Sequence, residues 1–166
     1  AMTFGPMSFA QQAPEKKDVT IAVGGKSLYY YLPLSIAEQL GYFKDEGLNV
    51  KIVDFQGGSR SLQAVVGGSA DVVSGAFEHT ISMQAKKQPM TAFVLQGRAP
   101  QLALVVSNKT MKDYKQLSDL KGKKVGVTAP GSSSQMVAYF ILKKGGLGPK
   151  DVAFIGVGSS SGAVSA

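Results

Sequence analysis

The sequence contains no cysteine and a single histidine, His79. Without cysteine, a disulfide framework and thiolate ligands for a metal are both excluded. One imidazole that lacks a histidine or thiolate partner does not make a zinc site. We therefore expect neither a metal nor a cofactor. The absence of cysteine is compatible with an exported protein, although it does not demonstrate export.

Long apolar runs and blocks of like charge are also missing. No apolar segment is long enough to span a bilayer. The formal net charge of the 166 residues is +7, but the lysines are scattered or paired, and no basic stripe is interleaved with aromatic residues. Nucleic acid is therefore not an expected partner, whereas a basic body would attract small anions. The length suffices for a packed core in one domain or a small pair.

The N-terminal segment resembles the end of a secretory signal. Residues Ala1–Ala10 are apolar and finish with Ser8-Phe9-Ala10, a small-x-small pattern that predicts cleavage after Ala10. The charged start and most of the apolar core of such a signal are missing. A disordered leader or an expression scar is the alternative. We assign residues 1–17 to this remnant and a polar lead-in.

Short apolar strands alternate with helical segments along the rest of the chain. This alternation predicts an α/β fold with a parallel sheet. Helices are expected over residues 33–40, 60–66, 78–87 and 132–144, with a further helix beginning at Gly162, and strands over residues 19–23, 48–55, 70–74, 91–96, 102–107, 123–128 and 152–157.

Glycine- and serine-rich loops follow five of the predicted strands. They begin at Gly24, Gln56, Gly75, Ala129 and Gly158. Ligands of open parallel sheets bind beyond the carboxyl ends of the strands, so these loops are expected to converge on one cleft.

The most distinctive stretch is 122–145, in which a strand, Pro130-Gly131, three serines and a helix follow one another. Free N–H groups and small hydroxyls at such a helix N-terminus suit an anion. The alternative is that Ser132, Ser133 and Ser134 only cap the helix.

Two motifs that suggest catalysis are incomplete. Gly25-Lys26-Ser27 resembles the end of a phosphate-binding P-loop, but the required upstream glycine is replaced by Thr20. Gly158–Gly162 has the spacing of a nucleophile elbow centred on Ser160, but His79 precedes the serine instead of following it. A flexible turn is the favoured interpretation, and a serine hydrolase using Ser160 remains an alternative.

Several side chains near the strand ends are candidates for ligand contact. Glu78 and His79 open a helix just past a predicted strand, and either could touch a ligand. A helix N-terminus also favours Glu78 without any ligand. Tyr29, Tyr30 and Tyr31 could form a flat apolar wall with hydroxyl groups, although core packing is expected for at least one of them.

Five segments carry a resemblance to a known family. They are Leu32–Ala37, Gly41–Leu48, Gly67–Val72, Leu117–Gly126 and Thr128–Ser134. In these segments the chain resembles the periplasmic solute-binding proteins of ABC importers, in the branch that handles nitrate, sulfonates, taurine and thiamine-pyrimidine precursors. Such proteins are not enzymes, and their partners are a small solute and the permease and ATPase of the importer.

The resemblance implies a type II periplasmic-binding-protein fold, with two α/β lobes that close on a solute by hinge bending. Residues 18–107 would form most of the first lobe, and residues 108–166 the first half of the second. The family needs roughly twice this length, so the chain is expected to be the N-terminal half of the fold. A periplasmic location follows, with membrane association only through the permease.

Carried over by position, the resemblance also implies a set of contact residues. The first lobe would contribute Ser27, Leu28, Tyr29, Gln56, Gly57, Ala76, Phe77 and Glu78, and the second Gly131, Ser132, Ser133 and Ser159, with Ser160 nearby.

The solute class stays open between two chemistries. The serine loop favours an anion such as a sulfonate, taurine or nitrate, whereas Glu78 suits an amine-bearing solute such as a thiamine pyrimidine precursor. A sensor module without a transporter is a further alternative.

Overall fold

The computed structural model describes residues 13–166. The predicted signal remnant, with its cleavage point after Ala10, lies outside the described residues. The described chain forms two parallel sheets, one of three strands and one of two, so the α/β prediction is confirmed. Within residues 13–166, none of the helices combines the length and the apolar character needed to cross a bilayer.

The first sheet is built around the strand β1 (Asp18–Val23), which lies between β2 (Asn49–Asp54) and β3 (Val72–Ser74). All three strands run parallel, and Val23 pairs with Asp54 on one side and Ser74 on the other. All three strands therefore end at the same edge of the sheet. The residues at that end of β1 are the most buried of the sheet, because neighbours cover them on both sides.

Four helices accompany the first sheet. Pro33 lies in the first turn of α1, where its missing N–H group removes no helical hydrogen bond. The bounds are α1 (Leu32–Gln39), α2 (Tyr42–Asp45), α3 (Gly58–Val66) and α4 (Glu78–Ala85), with a 3-10 turn at Tyr29–Tyr31 before α1. We call the first sheet and these helices the first lobe.

The second sheet pairs β4 (Lys124–Val127) with β5 (Ala153–Gly156). The long helix α5 (Ser133–Lys144) connects them, and the short helix α6 (Ser161–Ser165) follows β5. Their common core comprises Leu120, Val125, Ala138, Leu142, Leu147 and Val152. We call this sheet with α5 and α6 the second lobe. The lobe boundary at residues 107/108 stays a prediction.

Two predicted strands, at residues 91–96 and 102–107, are wrong for this structure, which has neither helix nor strand between α4 and a 3-10 turn at Leu117–Leu120. The segment that begins at Pro89 and the strand β3 line a shallow pocket together, but among the described strands β3 pairs only with β1. Apolar side chains favour a strand, but a strand also needs a neighbour for its backbone hydrogen bonds. No such neighbour pairs with these residues in the described chain.

Not every apolar residue at helical spacing is buried in this structure. Ile36 and Leu40 of the first predicted helix are exposed, as are Met136 and Phe140 of α5. The packed face of α5 is formed by Ala138 and Leu142, whose four-residue spacing is the same as that of Met136 and Phe140. Both stripes have helical periodicity, so spacing alone does not decide which one packs on the sheet.

Candidate solute-binding site

The loops that follow β1 and β2 pack against each other at the carboxyl edge of the first sheet. A Cβ atom at Gly24 would lie 2.4 Å from the backbone carbon of Gly57, so this approach requires glycine. Asp54, the last residue of β2, holds the loop after β1: its Oδ1 accepts hydrogen bonds from the N–H groups of Gly25 at 2.8 Å and Lys26 at 2.9 Å.

The loop after β2 also contacts the loop after β4, which belongs to the other lobe. The Ser59 N–H group donates to Ser132 Oγ at 3.0 Å, and the Ser59 hydroxyl donates to the Pro130 carbonyl at 2.9 Å. A Cβ atom at Gly57 would lie 2.8 Å from the Cβ of Ala129. The turns at Gln56 and Ser132 are therefore adjacent, as the expected convergence of the loops requires.

The loop after β5 completes this contact between the lobes. A Cβ atom at Gly25 would lie 2.6 Å from Ser159 Oγ, and one at Gly158 would lie 3.9 Å from Gln56 Oε1. Loops from β1, β2, β4 and β5 thus meet in one region. We call this region the strand-end site.

The loop after β3 joins the strand-end site through His79, which is only 4% exposed. A Cβ atom at Gly58 would lie 3.1 Å from His79 Nε2, so the ring packs beneath the start of α3. Neither His79 Nε2 nor the buried Glu78 Oε1 has a hydrogen-bond partner among the described residues. Burial lowers the pKa of His79, and the Glu78 carboxylate opposes that shift. The imidazole is therefore expected to be neutral at pH 7.

The residues predicted to contact a ligand differ widely in exposure. Tyr29 is 88% exposed and Phe77 67% exposed, although both are aromatic and both follow strand ends. Tyr31, by contrast, lies in the core, and burial raises its pKa. Of the other predicted residues, Ser27, Gln56 and Gly131 are exposed, Leu28, Ala76, Glu78, Ser133 and Ser159 are half-buried, and Gly57 and Ser132 are buried.

The serine turn does not act as a cap for its own helix. Ser132 is the N-cap residue of α5, yet its side chain makes no capping hydrogen bond there. Its hydroxyl instead accepts from Ser59 and donates to the Ser59 hydroxyl at 3.1 Å. Ser134 bonds back to Thr128 at the end of β4. Ser132 and Ser134 are thus engaged in other hydrogen bonds. The predicted contact of Ser133 with a solute has no such competing role and stays a prediction.

Sequence reasoning missed Ser59 and Asp54 as residues that shape the site. Ser59 ends the Gln56-Gly57-Gly58-Ser59 loop, so its place in a glycine-serine loop was a usable signal. Asp54 ends a strand that pairs with β1, which puts its carboxylate beside the next loop. Only the pairing of the strands shows that contact.

Ser160 and His79, the two residues that the hydrolase alternative would use, are not paired in residues 13–166. Ser160 is the residue before α6 and is exposed. His79 Nε2 has no hydrogen-bond partner among these residues, so it does not activate the Ser160 hydroxyl in this structure. The structure therefore gives no support to the alternative of acyl transfer by Ser160.

Two α/β lobes whose strand ends face each other are the fold of the solute-binding proteins. Two solved structures are similar to this chain over about half of their own length. A protein of Bordetella bronchiseptica RB50 is 65% identical with a TM-score of 0.88, and the match covers 90% of this chain and 47% of that one. The alkanesulfonate-binding protein SsuA of Xanthomonas axonopodis pv. citri, bound to MOPS, shares the fold at 20% identity and a TM-score of 0.62, over 92% of this chain and 52% of that one.

The chain belongs to the NMT1/THI5-like family, whose model matches residues 29–165. Among its curated relatives, the 4-amino-5-hydroxymethyl-2-methylpyrimidine phosphate synthase of Schizosaccharomyces pombe is 27% identical over 84% of this chain and 39% of that protein. The binding protein YtlA of Bacillus subtilis is 29% identical over 76% of this chain and 38% of that protein. The chain thus spans about two fifths of the length of these two relatives.

Proposed function

We propose that this chain is part of the substrate-binding component of an ABC importer, which captures a small solute between its lobes and delivers it to a permease. The partners are the permease and ATPase of the importer, and the location is the periplasm. The protein would do no covalent chemistry, in contrast to the fungal relatives that are named synthases.

One observation carries this proposal: loops from strands of both lobes meet in the strand-end site. Tyr29 and Phe77, which follow the ends of β1 and β3, leave large aromatic surfaces exposed. Exposed aromatic side chains beside a polar turn are typical of a site that stacks on or encloses a small molecule. The proposal is for binding by backbone dipoles and apolar contact.

An organic or inorganic anion, such as a sulfonate, taurine or nitrate, is our first choice of solute. The N-termini of α3 and α5 meet at the strand-end site, where the Ser59 N–H group donates to Ser132 Oγ. Helix N-termini favour negative charge, and the formal net charge of +7 adds a long-range attraction for anions. Ser132 is bonded to Ser59, and the Gly131 N–H group donates to Gln135 Oε1 at 2.6 Å, so Ser133 is the candidate left for the anion in the second lobe.

A thiamine pyrimidine precursor is the second candidate, and Glu78 is the observation that favours it. Its Oε1 is buried and has no partner, and His79 Nε2 beside it is in the same condition. A buried acceptor without a donor costs free energy, which an amino group on a heterocycle would recover. Several fungal relatives are named as synthases of such a pyrimidine phosphate.

A calorimetric titration of the full-length protein against taurine, ethanesulfonate, nitrate and 4-amino-5-hydroxymethyl-2-methylpyrimidine tests the function. We expect one of the three anions to bind. Tyr29→Ala and Phe77→Ala should each weaken that binding about tenfold, since each removes an aromatic contact of about 1–3 kcal/mol. Tyr42→Ala is the matched control, because Tyr42 is an exposed aromatic residue on α2, ahead of β2.

Two further variants separate the candidate solutes. Ser133→Ala should weaken the binding of an anion, whereas Glu78→Gln should weaken the binding of the aminopyrimidine and leave or improve that of an anion. If only the pyrimidine binds, the anion assignment is overturned and the second candidate stands. If none of the four binds, or if Tyr42→Ala is as harmful as Tyr29→Ala, the strand-end site is not the solute site.

A further inference from the structure

The helix α3 lacks a capping side chain of its own. Its N-cap residue is Gly57, which has no side chain and adopts φ = 121°. The first N–H groups of a helix have no acceptor within the helix, and a serine or aspartate at the N-cap normally supplies one. In α3 the Ser59 N–H group, the second of the helix, donates to Ser132 Oγ from the other lobe.

The residue that supplies the acceptor for this cap, Ser132, is itself the N-cap residue of α5 and leaves its own helix without a side-chain cap. Ser132 has the extended backbone of an N-cap, with φ = −82° and ψ = 163°, but it makes no capping hydrogen bond to α5. Its side chain is fully buried in the contact with Ser59. The hydroxyl that would cap α5 is therefore used across the lobes.

We propose that Ser132 caps α3 in trans, and that this cap is the contact that holds the two lobes closed. Opening the lobes removes the acceptor from the Ser59 N–H group, and the Ser59 hydroxyl loses the Pro130 carbonyl at the same time. Closure then has a stabilising contact of its own before any solute arrives. Ser132 is accordingly a positioning residue and makes no contact with the solute.

The trans cap also depends on the absence of a side chain at Gly57. A Cβ atom there would lie 2.8 Å from the Cβ of Ala129 and 3.2 Å from Ser132 Oγ. Any N-cap residue that could cap α3 in cis would therefore collide with the turn that caps it in trans. The glycine at this position makes α3 dependent on the second lobe.

The chain supplies matched controls for both partners of the contact. Ser61 is a buried serine two residues after Ser59, and its hydroxyl donates to Gly58 within its own lobe. Ser134 lies two residues after Ser132 and bonds to Thr128, again within its own lobe. Ser61→Ala and Ser134→Ala remove a serine hydroxyl from the same helices without touching the interlobe contact.

The test measures the distance between the lobes in the absence of solute. Residues 1–166 contain no cysteine, so Lys44→Cys on α2 and Lys143→Cys on α5 would give two sites for spin labels in this part of the full-length protein, once any cysteine elsewhere in it has been replaced by serine. Electron–electron resonance should show one short distance for the parent protein. Ser132→Ala should raise the fraction at longer distances about two- to tenfold, as expected for the loss of one or two hydrogen bonds.

The comparison of each variant with its control identifies the trans cap. Ser132→Ala and Ser59→Ala each remove two hydrogen bonds between the lobes, so both should raise the fraction at longer distances, while Ser61→Ala and Ser134→Ala should leave the distances unchanged. If Ser132→Ala matches Ser134→Ala, the proposal is overturned. Should Ser132→Ala fail to fold, the comparison of Ser59→Ala with Ser61→Ala decides: equal distances refute the contact. No solute is present, so the outcome is independent of the function proposed above.

Discussion

The strand β1 runs through the centre of a three-stranded sheet, whereas β5 forms the edge of a two-stranded one. Three consecutive residues of β1 are buried, beginning with Ile21. In β5 none of the four residues is fully buried, and Ile155 is 40% exposed. Each strand contains an isoleucine, Ile21 in β1 and Ile155 in β5, and the one in the strand with two neighbours is the more buried.

This difference indicates where the described chain derives its stability. Burying apolar surface contributes about 25 cal/mol for each square ångström removed from water. The strand β1 has its apolar side chains removed from water, whereas β5 leaves Ile155 partly in water. The second lobe nevertheless has a buried core of its own around Leu142, so the contrast in stability is expected between the two strands and not between the two lobes.

Replacing the same residue type in the two strands should sharpen this comparison most. Ile21→Ala should lower the free energy of unfolding by about 2–5 kcal/mol, because it leaves a cavity at a buried position. Ile155→Ala should cost less than about 1 kcal/mol, since much of its side chain is already in water. Urea unfolding followed by circular dichroism measures both. Equal losses would contradict the account of the two sheets.

A second pair of variants compares a crowded glycine with an open one. Gly57→Ala should destabilise the protein by about 1–3 kcal/mol, because it adds a collision with Ala129 to an unfavourable backbone conformation. Gly68 also has a positive φ of 75°, but nothing lies within 4 Å of a Cβ atom there. Gly68→Ala should therefore cost only about 1 kcal/mol, from backbone strain alone.

The melting temperatures of these two glycine variants provide the measurement. If Gly68→Ala is as harmful as Gly57→Ala, then the contact between the Gly57 loop and Ala129 is not formed in solution. A loss at Gly57 that exceeds the loss at Gly68 at least twofold supports the packing of the two lobes.

The smallest expected effect is a dependence of stability on pH that originates at His79. Its pKa in the folded protein lies below the ordinary value of 6.5 because of burial. Below about pH 6.5 the unfolded chain therefore binds more protons than the folded one, and the free energy of unfolding falls as the pH falls. The pKa values of Asp71 and Asp119 are lowered from 3.8, so their contributions are lost only at more acidic pH.

Urea unfolding at pH 7.5 and at pH 5.5 tests this prediction about His79. The parent protein should be less stable at pH 5.5, and His79→Gln should reduce that difference. A His79→Gln variant with the full pH dependence of the parent would show that the imidazole is not the responsible group.

Much of the fold could be predicted from the sequence, because local patterns specify it. The strands of both sheets show as short apolar runs, and the following glycine-serine loops give the positions of the strand ends. The prediction of strands at 91–96 and 102–107 was wrong, because an apolar run shows only that a segment favours the extended conformation. It does not show whether another strand lies beside that segment to pair with it. The buried face of α5 could not be identified from the sequence, because its two apolar stripes have the same period.

The candidate site shows a sharper limit of sequence reasoning. The convergence of the loops followed from the rule that parallel strands end at one edge of a sheet. The role of Ser132 did not follow, since a serine before a helix predicts a cap for that helix. Its contact with Ser59 joins residues 73 positions apart, and no local pattern encodes such a pairing.

The central claim is that one solute is held by the strand ends of both lobes, and hydrogen exchange tests it most directly. Amide exchange of the full-length protein would be followed by mass spectrometry with and without each of the four solutes named above. We predict that a bound solute slows exchange in residues 25–29 and 75–78 of the first lobe and in residues 131–133 and 157–160 of the second lobe together. Protection confined to one lobe, or located away from these loops, would contradict the claim.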